Sequence, residues 1–392
     1  MAADAAPGGA QRASPAASDR SASAWSRVAL LVGGTGRSVG ALVLLALTAL
    51  LLAGGPDAPL RGLWFDFCQR LAPRVRVSGP AVIVAVDEPS LGRYGQWPWP
   101  RQLLAELVDR LRGASPAAVA LNFLFPEADG FSGASLATRI PGLAARTAAW
   151  VASVPDGDQA LGRALAAAPS VIGLAGLDGP VALSRRGHFT PVVVRGKDPS
   201  GQVRHFRTAL HSVSDIDGGA AGHALLSADV TGGVVRRLPL VAAVGDTLVP
   251  GLGIEVLRVA AGAPAFGVRS DGGGVRAVGV GDVWIPAESD GTMWIHFTPH
   301  DPARFVSAAA VLAGEIAPER LERKLVLVGV TALGLGDQHV TPLGESLPGV
   351  EIHAQALENM FDGPSSCGRA GRRKSRQRPS SWPGRSWSPS PR

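Results

Sequence analysis

Two short stretches of this sequence carry side chains that could bind a ligand. The candidates are Asp87, Trp97, Trp99, Arg101, Asn122, Glu127 and Asp129. Carboxylate and amide oxygens can hold a cation or a hydroxyl group, a guanidinium can hold an anion, and an indole can form the wall of a pocket. The sequence has no Gly-x-Ser-x-Gly, His-Glu-x-x-His or kinase signature, and no local context that would activate a nucleophile. We therefore predict a binding site with no catalytic residue, no metal and no cofactor.

A strand–helix–strand unit is predicted to position these residues. The run AVIVAVDE (81–88) is short and β-branched, as buried strands are, and AAVALNFLF (117–125) has the same character. Between them, PRQLLAELVDRLRGA places its leucines on one helical face, with Pro100 at its start and Gly113 near its end. The pattern predicts two paired parallel strands joined by a right-handed crossover.

The order of these elements predicts one edge of the sheet for the site. Ligands of open α/β sheets bind beyond the carboxyl ends of the strands. Asp87 and Asn122 are expected at that edge together with the two acids that follow Asn122, and Arg101 is expected opposite them. A structural alternative is that Asp87 caps the loop that follows it and that Arg101 forms a fixed salt bridge with Asp87. The sequence leaves both interpretations open.

The stretch GQWPWPR (95–101) contains two tryptophans on a rigid turn. It is too rich in proline for a helix interior or a central strand, because proline lacks an N–H and fixes φ. Trp97 and Trp99 could form a structural clamp, in which each buried indole fastens the end of the strand to the start of the helix. The alternative is that they form the aromatic wall of a ligand pocket.

The remaining sequence predicts one α/β domain over residues 60–363. Its sheet is expected to be mixed, with a parallel βαβ start and a further buried strand, KLVLVGV (324–330). Several hairpins are expected, with turns at Gly232–Gly233, Gly281–Asp282 and Asp290–Gly291. The segment PGVEIHAQALENMFDG predicts a final helix.

An uncharged apolar segment, Ser38–Gly55, is long enough to span a bilayer as one helix. The arginines that precede it favour a cytoplasmic N-terminus, and residues 1–37, rich in Ala, Ser, Pro and Gly, are predicted to be disordered. A cleaved signal peptide is the alternative, but the polar region before the segment is long and the apolar stretch exceeds a usual signal-peptide core. We expect one N-terminal transmembrane helix, an uncleaved anchor that crosses the inner membrane once. The main domain is then expected in the periplasm.

The formal net charge of +6 does not describe the body of the protein. Residues 364–392 hold eight Lys and Arg and no acid, and residues 38–363 hold 26 basic and 30 acidic residues. We therefore expect no binding to nucleic acid. The basic tail has low complexity and no hydrophobic periodicity, and we predict that it is the product of a shifted reading frame in GC-rich DNA. The two cysteines, Cys68 and Cys367, predict neither a disulfide framework nor a metal site.

Five motifs occur in a characteristic order: VIVAVDEPSLGRYGQWPWPR, FLFPEAD, GGVVRRLPL, KLVLVGVTALGLGD and PGVEIHAQALENM. Together they resemble the CHASE type 2 family, the sensory extracellular domains associated with cyclases and histidine kinases. The resemblance implies an extracytoplasmic bacterial sensor domain, with one membrane helix before it and with three membrane helices and a cyclase or kinase output domain after it. The sequence departs from the family at Asn122, where an acid is usual, and no output domain is recognisable after Gly363.

Three functions are open on the sequence. The favoured one is the sensory domain of a bacterial transmembrane signalling receptor, here lacking its output domain and not itself an enzyme. The alternatives are a periplasmic hydrolase that uses Asp87 and a histidine, and a ligand-free interaction or structural domain. The expected partners are an unknown small-molecule or ionic signal, the membrane through the N-terminal helix, and a second copy in a homodimer.

Overall fold

The structure is a computed structural model. It describes residue 43 and residues 59–142, 144–179 and 187–363. The predicted membrane anchor Ser38–Gly55 lies outside the described residues except for Val43, as do residues 1–37 and the tail 364–392. Within the described ranges, no helix is both long enough and apolar enough to cross a membrane.

The described part of the chain alternates between strands and helices. The strands are β1 (Ala81–Val86), β2 (Ala118–Leu121), β3 (Ser170–Leu177), β4 (Val192–Arg195), β5 (His205–Phe206), β6 (Thr208–Leu210), β7 (Gly222–Leu225), β8 (Asp229–Thr231), β9 (Val234–Pro239), β10 (Val241–Val244), β11 (Thr247–Pro250), β12 (Phe266–Asp271), β13 (Gly274–Val280), β14 (Val283–Pro286), β15 (Thr292–Trp294), β16 (Phe305–Ser307), β17 (Leu325–Val330), β18 (Gln338–Val340) and β19 (Ser346–Pro348). The α-helices are α1 (Pro59–Leu71), α2 (Glu88–Tyr94), α3 (Arg101–Gly113), α4 (Gly133–Arg139), α5 (Ala145–Ala152), α6 (Gly157–Ala166), α7 (Ser214–Gly219), α8 (Leu252–Ala260), α9 (Ala308–Leu312) and α10 (Gly349–Asp362). Short 3₁₀ helices cover Pro302–Arg304 and Pro318–Arg320.

A central sheet of seven strands has the order β16-β1-β17-β2-β3, with β6 and β7 both paired to β3. The pairings are parallel except that of β6 with β3. Strands β1 and β17 are apolar runs that are buried along almost their whole length, as is usual for a parallel sheet covered on both faces. The predicted parallel start is confirmed. The prediction that β1 and β2 pair directly is wrong, because β17 lies between them.

Helices cover both faces of this sheet. Val82, Val84 and Val86 of β1 pack with residues of α3, α6 and α9, whereas Ala81 and Ile83 pack with residues of α8 and α10. The alternation follows from the two-residue period of a strand. On α3, the buried leucines lie on the face that the sequence predicts, and burying each contributes roughly 1.5–3 kcal/mol. A charged residue at one of these leucine positions would break the contact between α3 and the sheet.

Three smaller sheets are built mainly from hairpins: β14-β13-β12-β4, β11-β10-β5, and β15-β9-β18-β19 with β8 on β9. The predicted turns at Gly232–Gly233 and Gly281–Asp282 join β8 to β9 and β13 to β14, and their glycines have positive φ. The turn predicted at Asp290–Gly291 is confirmed, because the backbone N of Gly291 donates to the carbonyl of Glu288 at 3.0 Å. The hairpin predicted there is wrong, because β15 pairs with β9 rather than with β14. Asp290 gives the physical reason: it accepts hydrogen bonds from Thr292 and forms a 2.9 Å ion pair with Arg237 of β9.

Candidate functional site

Asp87 lies at the carboxyl end of β1, where it caps helix α2. Its Oδ1 accepts hydrogen bonds from the backbone N of Ser90 at 3.0 Å and from the Oγ of Ser307 at 2.8 Å. The Oγ of Ser90 in turn accepts a bond from the backbone N of Ala309 at 3.0 Å, so the cap joins α2 to the start of α9. An N-cap carboxylate satisfies an amide that the helix leaves unpaired. Within the described part of the chain, Oδ2 of Asp87 makes no hydrogen bond.

A loop after β17 covers the same end of β1. The backbone N of Thr331 donates to the carbonyl of Val86 at 3.1 Å, and the backbone N of Leu333 donates to Oε1 of the exposed Glu88 at 2.9 Å. Asp87 and Glu88, the two acids that follow β1, therefore have different roles. Asp87 points to the start of α2, and Glu88 holds the loop that follows β17.

A row of aromatic rings runs from α2 to the segment after β2. Neighbouring ring centroids are 5.9 Å apart for Tyr94 and Trp99, 6.1 Å for Trp99 and Trp97, 5.0 Å for Trp97 and Phe123, and 5.3 Å for Phe123 and Phe125. We call these five residues the aromatic row. Such spacings are those of attractive offset and edge-to-face ring pairs.

The two tryptophans have different environments within the aromatic row. Trp99 is 1% exposed, and its Nε1 donates to the carbonyl of Gly95 at 2.9 Å. Trp97 is half-buried and precedes a cis peptide bond to Pro98. The contacts of Trp99 are those of the predicted clamp, whereas the ring of Trp97 remains partly accessible and could form one wall of a pocket.

Arg101 lies at the end of the aromatic row and pairs with an acid that the sequence interpretation missed. Its guanidinium carbon lies 4.4 Å from the centroid of the Phe125 ring, and its Nε is 3.5 Å from Oδ1 of Asp158. The suggested salt bridge between Arg101 and Asp87 is therefore wrong. Asp158 belongs to the first turn of α6, and the sequence DGDQ around it signals a helix start but not a partner for an arginine 57 positions earlier.

Asp129 joins the pair of Arg101 and Asp158 through both its backbone and its side chain. Its Oδ2 accepts the backbone N of Arg101 at 3.1 Å, and its own backbone N donates to Oδ2 of Asp158 at 2.8 Å. A Cβ at Gly157 would lie 2.3 Å from Oδ2 of Asp129, so only glycine allows this approach. Burial lowers the pKa of Arg101 and raises the pKa of Asp158, although the backbone N–H of Asp129 and the positive charge of Arg101 oppose the second shift.

The last two predicted residues differ in exposure. Asn122 follows β2, and its backbone N donates to the carbonyl of Val328 at 2.8 Å, while its side-chain Oδ1 is buried without a hydrogen-bond partner. Glu127 is exposed. The structure thus joins Trp97, Trp99, Arg101 and Asp129 through one set of contacts and holds Asp87 in a separate set.

A second polar cluster, which the sequence did not indicate, surrounds Asp217 in α7. The ring nitrogens of His188, His211 and His223 lie 3.1, 3.3 and 3.2 Å from its carboxylate oxygens. Hydrogen bonds from these rings outweigh the effect of burial and hold the pKa of Asp217 well below its usual range. His211 and His223 are buried and the His188 side chain is largely exposed, so the cluster reaches the surface only at His188.

A third cluster is a buried ion network on helix α10. Arg304 is fully buried and binds Glu358 with its Nε at 3.0 Å and Glu351 with its Nη1 at 3.2 Å, and both acids are also fully buried. Arg74 and Arg76 reach the same Glu358 at 2.6 and 2.8 Å. A sequence signal existed, because Glu351 and Glu358 are seven residues apart and so lie on one helical face.

The arrangement offers oxygen atoms that could accept hydrogen bonds from a ligand. Among the residues that the structure describes, no group of three or more His, Cys, Asp or Glu side chains is placed to hold a metal ion. The groups that lack hydrogen bonds at the carboxyl edge, Oδ2 of Asp87 and Oδ1 of Asn122, could accept bonds from a ligand.

Comparisons with known proteins give one match. The family model for the CHASE2 domain matches residues 41–387, most of the chain, and extends beyond the predicted domain 60–363 at both ends. Neither a curated protein nor a solved structure matches the chain.

Proposed function

This chain belongs to the CHASE2 domain family, a family of extracellular sensory domains, and from that membership we propose that it detects a signal outside the cytoplasm on behalf of a bacterial membrane receptor. The role is that of a binding domain, since the enzymatic output of such a receptor belongs to a cyclase or kinase domain. The family match is the observation that carries the proposal.

Contacts between the first and last helices of the described domain support a signalling role. The backbone N of Phe297 donates to Oε1 of Gln69 in α1 at 2.9 Å, and the backbone N of Thr298 donates to Oε1 of Gln355 in α10 at 2.8 Å. Adjacent residues of one extended segment are therefore bound to two different helices. A displacement of α10 would be passed to α1 through this segment.

The arginine network strengthens the same connection. Arg74, three residues after α1, donates its backbone N to the carbonyl of Phe297 at 2.9 Å and binds Glu358 and Asp362 of α10 through its side chain, both at 2.6 Å. Charged hydrogen bonds of this length are stronger than neutral ones. They would make α1, the extended segment and α10 move together.

We place the signal-binding site at the carboxyl edge of the central sheet. Asp87 and Asn122 follow strands that are separated by β17, so they lie two strand spacings, about 10 Å, apart across the sheet. The register also offsets them along the strands, because Leu121 is level with Val84 through Val328. The half-buried Trp97 and the neighbouring Phe123 offer an apolar wall. A small molecule or ion held at this edge would contact the N-cap of α2 and the loop that follows β17.

The membrane anchor is part of the same proposal. Ser38–Gly55 is the candidate segment, and the main domain would lie in the periplasm. A reporter enzyme that is active only in the periplasm tests this arrangement. Fused after Gly363 it should be active, and fused before Arg27 it should be silent. The opposite pattern would refute the extracytoplasmic location.

Ligand binding is tested by thermal shift of the full chain against a panel of divalent cations and nucleotides. A ligand at 100 times its Kd stabilises the folded state by about 2.7 kcal/mol, which raises Tm by roughly 4 °C for a domain of about 300 residues. Asn122→Ala and Trp97→Ala should reduce the shift. Trp150→Ala, a control at a side chain that is 70% exposed on α5, should keep it. If both site variants keep the ligand-induced rise in Tm, the ligand binds at another site.

A further inference from the structure

Helix α1 has its apolar and polar faces on the wrong sides for a surface helix. Its body-facing side includes Asp66 and Gln69, which are 7% and 0% exposed. Its solvent-facing side is apolar: Leu63, Trp64, Phe67 and Leu71 are 63, 45, 55 and 64% exposed. Surface helices of globular proteins bury the apolar face, so this arrangement leaves an apolar stripe without a partner among the residues that the structure describes. We call these four residues the α1 stripe.

The body-facing side of α1 is fixed, so the helix cannot roll to hide the α1 stripe. Asp66 accepts two hydrogen bonds from Arg236, at 2.7 and 2.8 Å. Gln69 accepts the backbone N of Phe297, and the Phe65 ring lies 4.4 Å from that of Trp294. Rolling α1 would break a nearly buried ion pair, and removing one partner from such a pair costs several kcal/mol.

The spacing of the α1 stripe matches the seam of a two-stranded coiled coil. If Trp64 is taken as position a of a heptad, Phe67 is d and Leu71 is the next a, while Leu63 holds the flanking position g. The body-facing residues named above then occupy positions b, c and f. These are the positions that a coiled coil turns away from its partner, so the helix can bind the domain on one side and another helix on the other.

We propose that α1 pairs in parallel with α1 of a second copy of this chain, with Trp64, Phe67 and Leu71 at the seam. The parallel direction rests on the proposed function, because two chains anchored by the same end in one membrane must present α1 in the same direction. A stable soluble interface buries about 800 Å² per partner, more than one short helix supplies. The pairing therefore depends on membrane confinement, which raises the effective concentration of the second helix.

Charge favours a second copy over a lipid surface as the occupant. Helices that lie in a membrane interface present free lysines and arginines to anionic headgroups. The arginines of α1 are engaged with the domain instead: Arg61 pairs with Glu288 at 3.0 Å, and Nε of Arg70 donates to the carbonyl of Pro342 at 3.0 Å. The α1 stripe itself is uncharged, as the seam of a helix pair is.

Cysteine crosslinking of the full chain in bacterial membranes tests the pairing directly. In a Cys68→Ser, Cys367→Ser background, Phe67→Cys should oxidise to a species with the mass of two chains. Glu106→Cys, at a side chain that is 53% exposed on α3, should stay at the mass of one chain under the same oxidant. Equal crosslinking of both positions would mean random collision and would overturn the proposal.

A second measurement separates the other outcomes. In membranes, Phe67→Asp should abolish the two-chain species that a Leu71→Cys crosslink captures, and it should not lower the Tm of the purified chain, because Phe67 is exposed in the single chain. Val283→Asp on β14, at a residue that is 38% exposed, should leave the two-chain species intact. A fall in Tm for Phe67→Asp alone would show that the α1 stripe packs within one chain.

Two further results refute the inference. No crosslink, together with a Phe67→Cys thiol that a water-soluble maleimide reaches only after detergent extraction, would assign the α1 stripe to lipid. No crosslink with free labelling in membranes would mean that the stripe has no partner. Both results are independent of the reporter fusions, so a missing dimer with a periplasmic reporter signal would refute this inference and leave the proposed function standing.

Discussion

Replacing Arg304 with methionine should be among the most damaging single changes in this domain. The guanidinium binds Glu358 through Nε and Nη2 at 3.0 and 3.1 Å and binds Glu351 through Nη1 at 3.2 Å. It also donates to the hydroxyl of Thr298. Because all three charged side chains are fully buried, water cannot replace the lost partner.

The expected loss follows from what remains after the change. Glu358 keeps Arg74 and Arg76, but among the described side chains Glu351 keeps only the contact with His300, at 2.8 Å. Breaking a buried ion pair by removing one partner costs about 3–5 kcal/mol. The free energy of unfolding of a whole domain is about 5–15 kcal/mol, so Arg304→Met should remove a large part of it.

Urea unfolding of the full chain, followed by tryptophan fluorescence, measures this loss. Arg93→Met is the matched control, because Arg93 pairs with Glu315 at 3.3 Å with both side chains more than half exposed. The control should change the free energy of unfolding by less than about 0.5 kcal/mol. Adding Glu351→Gln to Arg304→Met should cost less than the sum of the two single changes, since the unpaired carboxylate is removed.

The result that refutes this reasoning is a loss below about 1 kcal/mol for Arg304→Met, the value typical of an exposed pair. The network would then be hydrated, and α10 would not be bound tightly to the extended segment. The proposed connection from α10 to α1 would lose its main support.

Further predictions concern the tryptophans, pH and the tail. Trp99→Ala should lower the free energy of unfolding by roughly 3–5 kcal/mol and Trp97→Ala by less, since only Trp99 is fully buried; equal losses in a urea titration would contradict the difference in their environments. Burial lowers the pKa of His353 to about 4, below its ordinary value of 6.5. Between these two pH values the unfolded chain binds a proton at His353 and the folded chain does not. The free energy of unfolding should therefore fall by up to about 3 kcal/mol as the pH drops from about 6.5 to about 4. His353→Gln should flatten that part of the pH profile, and an unchanged slope would exclude His353 as its cause. DNA sequencing around codon 363 should reveal a shifted frame, and a confirmed frame with no membrane or output coding sequence downstream in any frame would reject this prediction.

The sequence predicted β1, β2 and α3 near the candidate site because their signals are local, but it placed a loop where helix α2 follows Asp87. Helix α3 is recognisable from leucines on one face and a proline at its start, and β1 from a short β-branched run. The identity of the strand that pairs with a given strand is not a local property of the sequence. The runs of β1, β2 and β17 are chemically alike, so nothing in β1 specifies that β17 rather than β2 lies beside it.

The same limit applies to the site residues. The sequence placed Asp87 at the end of a strand and offered a cap on a following loop as one interpretation, whereas Asp87 caps helix α2. It could not supply Asp158 as the partner of Arg101, because the two are joined only by the packing of α6 against α3. The cluster of Asp217 and three histidines was missed for a similar reason, since His188 and His223 meet only after the sheet has formed.

The two helices that break the usual amphipathic pattern break it in opposite directions. Helix α10 is buried on every side and carries Glu351, Gln355 and Glu358 on one face, which a sequence pattern would assign to solvent. Arginines and the extended segment cover that face, so charge pairing replaces apolar contact there. Helix α1 instead leaves the α1 stripe exposed while its polar side binds the same extended segment. Sites where local rules fail are often functional, and here both failures lie on the one path that joins the first helix to the last. A sensory domain must pass a change between its helices, so we expect that substitutions on this path that leave the domain folded alter signalling without altering ligand binding.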